Sequence, residues 1–245
     1  MSTIEFTNVS VHYDDRLVLN DINLTLTENR IGIIGANGGG KSTLIRLING
    51  LGTATTGTVT VDGLDVAKNG KQVRRKVGFV FSDAENQIVM PTVEDDIAFS
   101  LRRLKLSKTE RTDRTRTMLE RFGLEHHAQH SPHLLSGGQK QLLALAAVLV
   151  IEPDVIIADE PTTLLDMRNR LKIRKVFDTL EQQLIVVSHD LDFLTGFDRV
   201  LCIDNHHIAA DGSPTEVIDF YTTLMNRSAL GSAAVPWAPM FPARA

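Results

Sequence analysis

The sequence predicts an α/β chain with a mixed sheet, an antiparallel β part at the N-terminus and a helical subdomain set into the middle. Three observations carry this. The first thirty or so residues alternate apolar and polar: Ile4, Phe6, Val9, Val11, then Ile22, Leu24 and Leu26 share a face, the period of half-buried strands. After residue 152, short apolar runs alternate with a helical stretch: DVIIAD, MRNRLKIRKVFDTL, QLIVVSHD, RVLCID. Strands apolar throughout belong to parallel sheets covered on both faces. The stretch 92–150 between them has helical spacing.

Taken in order, RIGIIG is a short buried strand ending in glycine, followed by a helix over about 41–49. TGTVTVDG reads as a strand entering a turn, and 76–81 as another apolar strand. Ile97, Leu101 and Leu104 place a helix over about 95–104, and LSKTERTDRTRTMLERFGL a second, with Ser107 as N-cap and Gly123 as its stop. That second helix is strongly basic; a solvated face is its plainer reading, a docking surface the sharper one. HLLSGGQKQLLALAAVLV opens a long apolar helix at Ser136. One domain over 1–226 is expected, with the helical subdomain inserted at about 92–150. Residues 227–245, rich in proline and small residues, read as a poorly ordered tail in which Trp237 and Phe241 are candidate anchors.

Composition narrows the function. The chain has 245 residues, 42 % of them apolar, and a net charge of −4. That is enough for a substantial core, and it lacks the basic excess of a nucleic-acid binder. The single cysteine, Cys202, lies in an apolar strand and reads as a buried thiol; it excludes an intrachain disulfide and fits a reducing compartment. The start alternates like a strand, so no secretory leader is expected, and no run of ~18 uncharged apolar residues is present to span a bilayer. Work at a membrane would require a partner there.

GANGGGKST, residues 35–43, fits G-x-x-x-x-G-K-[ST] between an apolar strand and a helix, the context the motif requires. Gly35, Gly38, Gly39 and Gly40, with Ala36 and Asn37, let backbone N–H groups converge on phosphate oxygens, and the helix N-terminus faces the same anion. Lys41 would reach the β- and γ-phosphates, Ser42 would ligate Mg²⁺, and Thr43 completes the motif. At the end of DVIIADEP, Asp159 would hold Mg²⁺ and Glu160 would polarise an attacking water. Ligands of open α/β sheets sit at that end of the strands. In VVSHD, His189 would stand near the γ-phosphate and link it to Glu160.

With these motifs in this order, and above all with LSGGQ, the chain resembles the ATP-binding subunits of ABC transporters over about residues 3–225. The resemblance implies ATP and Mg²⁺ as cofactors. It also implies a head-to-tail dimer, with a homodimer preferred. In it Ser136, Gly137, Gly138 and Gln139 of one chain cap the γ-phosphate held by the other. Tyr13 matches the aromatic residue that stacks on adenine, and Asp166, in TTLLD, the residue that contacts the partner chain. Thr163 and Leu164 are slightly unusual for the family, and one departure matters: Ser82 stands where a metal-reporting glutamine belongs, and Gln87 is five residues too late to replace it. The segment ENQIVMPTVEDDIAFSL resembles the energy-coupling-factor class of vitamin and metal importers. That implies a transmembrane coupling protein, a substrate-binding membrane subunit and a place on the cytoplasmic face of the membrane. Within the class the compact length leans towards biotin over cobalt or nickel. Another ABC transporter class and a soluble nucleotide switch are the alternatives.

Overall fold

A computed structural model describes residues 1–163 and 165–229. Two sheets organise it. The N-terminal strands β1 (Ile4–Tyr13) and β2 (Arg16–Leu26) form an antiparallel hairpin, extended by β4 (Thr56–Val61) and β5 (Leu64–Asp65) in the order β2-β1-β4-β5. The second sheet has six strands, ordered β10-β9-β3-β8-β7-β6: β3 (Arg30–Gly35), β6 (Val77–Val80), β7 (Val155–Asp159), β8 (Gln183–Val187), β9 (Arg199–Asp204) and β10 (His207–Gly212). All neighbours in it are parallel except β9 and β10.

The apolar strands divide their side chains between two cores, as a period of two requires. On β7, Val155 and Ile157 face the antiparallel sheet and the helix after β3, while Ile156 and Ala158 face the helical side. On β8, Ile185 and Val187 take the first side, Leu184 and Val186 the second. Such strands have no polar face because neither side meets water. Cys202, on β9, is fully buried, and burial pushes its thiol up to about 12. It is an inert packing residue.

The helices begin where local chemistry permits. The helix α1 (Lys41–Ile48) follows β3, α2 (Val66–Lys76) follows β5, and α3 (Val93–Ser100) and α4 (Lys108–Phe122) precede α5 (Gly137–Leu149). Ser107 and Glu110 form a capping box at the start of α4, and Gly123 closes it at φ 65°. Beyond β7 lie α6 (Met167–Asp178), the short α7 (Leu191–Leu194) and α8 (Pro214–Ala229).

Several expected boundaries move. Residue 76 ends α2 rather than starting a strand, and the strand expected over 76–81 is Val77–Val80. Asp65 starts that unforeseen helix by accepting from the N–H groups of Ala67 and Lys68, and its buried Val66 and Val73 stand two turns apart. The helix expected over 95–104 begins at Val93, because the Thr92 hydroxyl accepts from Asp95 N; it ends at Ser100, and a 3₁₀ turn covers Leu101–Arg103. The boundary expected at 226/227 falls inside α8, which runs to Ala229. Trp237 and Phe241 lie outside the described residues.

Candidate functional site

The loop 35–40 joins the carboxyl end of β3 to α1. Its backbone demands glycine at particular points. Gly35, at φ +145°, would place a Cβ 2.1 Å from the carbonyl oxygen of Ile203. Gly40, at φ +102°, would bring one within 2.8 Å of Leu19 Cδ2 and Val18 O. Both are backbone approaches that no other residue allows. Lys41 folds back so that its Nζ donates to Gly35 O at 2.8 Å and Ala36 O at 2.9 Å. Burial lowers its affinity for a proton, and the nearby Glu160 and Asp159 charges oppose that.

A second feature marks α1. Each helix from α2 to α7 has a side-chain oxygen accepting from its first-turn N–H groups. At Gly40 there is no side-chain cap. The N–H donors of that turn are left for an anion, which is what a phosphate cradle supplies.

The ends of β7 and β8 face this loop, because β8 lies between β3 and β7 in the sheet. Ser42 Oγ donates to Asp159 Oδ1 at 3.0 Å, and Arg46 Nη2 lies 3.6 Å from Asp159 Oδ2. Asp159 is 3 % exposed. Burial raises its carboxyl above the usual range, with the Ser42 hydroxyl and Arg46 pulling the other way. A hydroxyl and a carboxylate oxygen side by side are the hard donors that Mg²⁺ selects.

Glu160 departs from the strand at φ +52°. Its amide N–H donates to Val187 O at 2.9 Å, so the turn is tied to the end of β8. The carboxylate is held at both oxygens: His189 Nε2 is 2.8 Å from Oε1, and Thr163 Oγ1 donates to Oε2 at 2.9 Å. A non-glycine residue in this region costs about 1–3 kcal/mol and persists where its surroundings over-determine it. Here two side chains and a strand end do so. The arrangement fixes a carboxylate one residue beyond the metal-suited pair, with a proton carrier against it.

The other predicted residues sit apart. Tyr13 ends β1 and is 55 % exposed. It pairs with Arg16, whose guanidinium stands 3.9 Å from the position of a Cβ on Gly38, so the hairpin flanks the loop. Ser136 and Gln139 form a capping box at the start of α5: Gln139 N donates to Ser136 Oγ at 3.4 Å, and Ser136 N to Gln139 Oε1 at 2.9 Å. A Cβ on Gly138 would meet the Asn169 side chain at 2.3 Å, whereas one on Gly137 meets nothing within 4 Å. No hydrogen bond among the described residues joins this segment to the phosphate loop. Asp166 is engaged in its own chain, accepting from Asn169 N at 2.8 Å as the N-cap of α6. Ser82 is exposed. Gln87 returns to β6, its Oε1 accepting from Phe81 N at 3.1 Å and its Nε2 donating to Phe79 O at 3.3 Å.

Sequence reasoning does not single out Arg46, and it marks Thr163 only as unusual within TTLLD, with no role at the site. Arg46 had a signal, since it lies four residues after Ser42 on the same helical face. Thr163 had no signal for this contact; its reach to Glu160 depends on the turn.

The model of the family described as "ABC transporter" matches residues 19–163. The chain is 44 % identical over 218 residues to the biotin transport ATP-binding protein BioM of Rhizobium etli, covering 89 % of this chain and 97 % of that one. It is 39 % identical over 223 residues to the cobalt import ATP-binding protein CbiO of Syntrophus aciditrophicus, covering 88 % and 80 %. The solved structure of cbiO1 from Clostridium perfringens, described as part of the ABC transporter complex cbiONQ, superposes with a TM-score of 0.79 at 30 % identity, over 92 % of this chain and 94 % of that one. The chain therefore belongs to the ABC transporter ATP-binding proteins. Its fold is the ABC ATPase fold, and ATP hydrolysis coupled to transport is its activity.

Proposed function

We propose that the chain energises an importer of the energy-coupling-factor type, with biotin as the solute, by ATP-driven closure of a head-to-tail homodimer. The observation that carries the hydrolytic part is Glu160, pinned at φ +52° between His189 and Thr163, one residue past the Ser42–Asp159 pair. Gly35, Ala36, Asn37, Gly38, Gly39, Gly40 and Thr43 cradle the phosphates of ATP, and Lys41 leaves its loop carbonyls for the γ-phosphate. Ser42 and Asp159 hold Mg²⁺, which neutralises phosphate charge when bound. Glu160 accepts a proton from the attacking water, and His189 holds its carboxylate and faces the γ-phosphate. Tyr13 stacks on the adenine.

The uncapped start of α1 supports phosphate binding within the chain. The open space beside Gly137 supports the shared site: no atom of the described residues outside its immediate neighbours lies within 4 Å of a Cβ placed there. In the proposed dimer Ser136, Gly137, Gly138, Gln139 and Asp166 complete the site of the other copy. Moving such a dimer from mostly open to mostly closed needs ~5.5 kcal/mol of differential binding. Two sandwiched nucleotides, with charge-assisted hydrogen bonds of ~1.5–3 kcal/mol each, supply it.

Among the described residues no helix is long and apolar enough to cross a membrane. In this reading two membrane subunits, a coupling protein and a solute-binding protein, hold the chain on the cytoplasmic face, with the coupling protein seated beside residues 83–100. Biotin is favoured by the higher identity to the biotin-transport relative, 44 % against 39 % for the cobalt-import one.

Two measurements test this. Glu160→Gln in the assembled complex is expected to lower phosphate release by about 10²–10⁴-fold while ATP still binds; an unchanged rate would favour a nucleotide switch. Cells carrying the operon of this chain are expected to accumulate labelled biotin in a Lys41-dependent manner. Lys41-dependent uptake of cobalt and not biotin would reassign the solute.

A further inference from the structure

The β1–β2 hairpin carries a cation without a counter-ion. Arg16 opens β2, is exposed, and stands opposite Tyr13 in the antiparallel register. Directly opposite residues of such a pair share a face of the sheet, so the guanidinium and the Tyr13 ring leave the hairpin on one side. Asp14 and Asp15 precede it in the turn, yet the Arg16 side chain makes no hydrogen bond, ion pair or ring contact among the described residues. It is directed at the phosphate loop instead. Beyond chain neighbours, Arg16 Nη2 is the one described atom within 4 Å of a Cβ placed on Gly38, at 3.9 Å.

We propose that Arg16 is a further nucleotide-binding residue, whose guanidinium closes on the phosphate chain of ATP or ADP from the hairpin side of the loop. The first argument is placement. The strand β2 is fixed beside the loop: Leu19 Cδ2 and Val18 O stand 2.8 Å from a Cβ on Gly40, and Asn20 N donates to His206 O at 2.9 Å. Arg16, two residues before Val18, therefore meets the loop at Gly38 while Val18 and Leu19 meet it at Gly40. A base lying on Tyr13, with its phosphates in the loop, passes the Tyr13–Arg16 pair on the way.

The second argument is charge. Lys41 and the uncapped start of α1 already make the loop positive. The acids of the site are engaged elsewhere: Asp159 with Ser42 and Arg46, Glu160 with His189 and Thr163. A guanidinium beside that loop is repelled until an anion enters, and a phosphate removes the repulsion and accepts from its fork of N–H groups. Gly38 leaves the approach clear. Arg16 is exposed, so water and salt screen the contact, and ordering a long side chain costs part of the gain. The contribution to affinity is therefore near the low end for a charged hydrogen bond, about tenfold. Because ADP keeps the same contact, Arg16 holds the nucleotide in the ground state and after hydrolysis alike.

The inference rests on the proposed role of residues 35–41 in holding phosphate. Fluorescence titration of the full chain with mant-ADP and Mg²⁺ tests it. Arg16→Gln is expected to weaken binding about tenfold, and Arg16→Lys, which keeps the charge but not the fork, to fall between. The gap between wild type and Arg16→Gln should narrow as salt is raised. Equal affinity in wild type and Arg16→Gln would overturn the proposal. So would a gap indifferent to salt, which would mean altered hairpin packing rather than a lost charge. In the assembled complex Arg16→Gln should raise KM for ATP by more than it lowers kcat, as loss of a ground-state contact requires; a loss confined to kcat would overturn it. Lys41→Ala separates the two readings. Weaker binding in Lys41→Ala but not in Arg16→Gln would defeat the role of Arg16 alone. Wild-type affinity in Lys41→Ala with a loss in Arg16→Gln would count against the loop and leave Arg16 standing.

Discussion

Gly40 carries two functions that one methyl group would end. At φ +102° it turns the chain into α1, and the space beside its Cα is taken by Leu19 and by the backbone of Val18. Its lack of a side chain also leaves the first turn of α1 without a competing cap. Gly40→Ala is therefore expected to lower stability by about 1–3 kcal/mol from strain alone, read by urea denaturation, and to abolish binding of a fluorescent ATP analogue. A variant that kept wild-type nucleotide affinity would show that the loop can form another way. Glu160 makes the complementary case. Its left-handed backbone is retained although a side chain disfavours it, because Val187, His189 and Thr163 together hold the turn.

At the scale of elements, the helix starts divide into those that satisfy themselves and the one that does not. The capping box of α4 is wholly local, and no described hydrogen bond ties Ser107 to the nucleotide site. Ser107→Ala should cost about 1 kcal/mol of stability, visible as a lower denaturation midpoint, and leave ATP turnover unchanged. A loss of turnover would mean that α4 takes part in coupling. The capping box of α5 has the same chemistry but a different setting. Gln139 is shared between Ser136 and His127, so the start of that helix answers to the loop before it.

Across the whole molecule, Arg199 ties the far ends of the two sheets together. It forms a bidentate pair with Asp211 at 2.6 Å on each arm, and its Nη1 reaches Thr25 O at 2.8 Å and both Glu28 oxygens at 3.1 Å. Burial pushes the Glu28 carboxyl up, but the Thr27 and Glu28 N–H groups and Arg199 outweigh it and hold the carboxyl below the usual range. A carboxyl depressed in the folded state stabilises above its unfolded value of about 4.3, and that contribution disappears as the pH falls through the folded value. Glu28→Gln should therefore lower stability at pH 7 and flatten the acid limb of the stability curve below about pH 4.3. A variant with the wild-type acid limb would show that Asp211 and the Thr25 carbonyl hold Arg199 without Glu28.

The sequence by itself determined what depends on near neighbours. Period-two alternation in β1 and β2, apolar runs for β3, β7, β8 and β9, the capping pair of α4 and the phosphate loop all rest on residues within a few positions of one another. Those interactions exist before the chain closes on itself, so spacing reveals them. The helix α2 went unread because its apolar side is only Val66 and Val73, and its polar remainder resembles a loop. Only the tertiary structure decided which strand ends meet. It set β8 between β3 and β7, and so brought Asp159 to Ser42 and His189 to Glu160 across long stretches of chain. It also turned Arg46 to Asp159, Gln87 to the edge of β6, and His127 to Gln139. A side chain's partner across the fold is chosen by sheet order and packing, and neither is written in the spacing of residues along the chain.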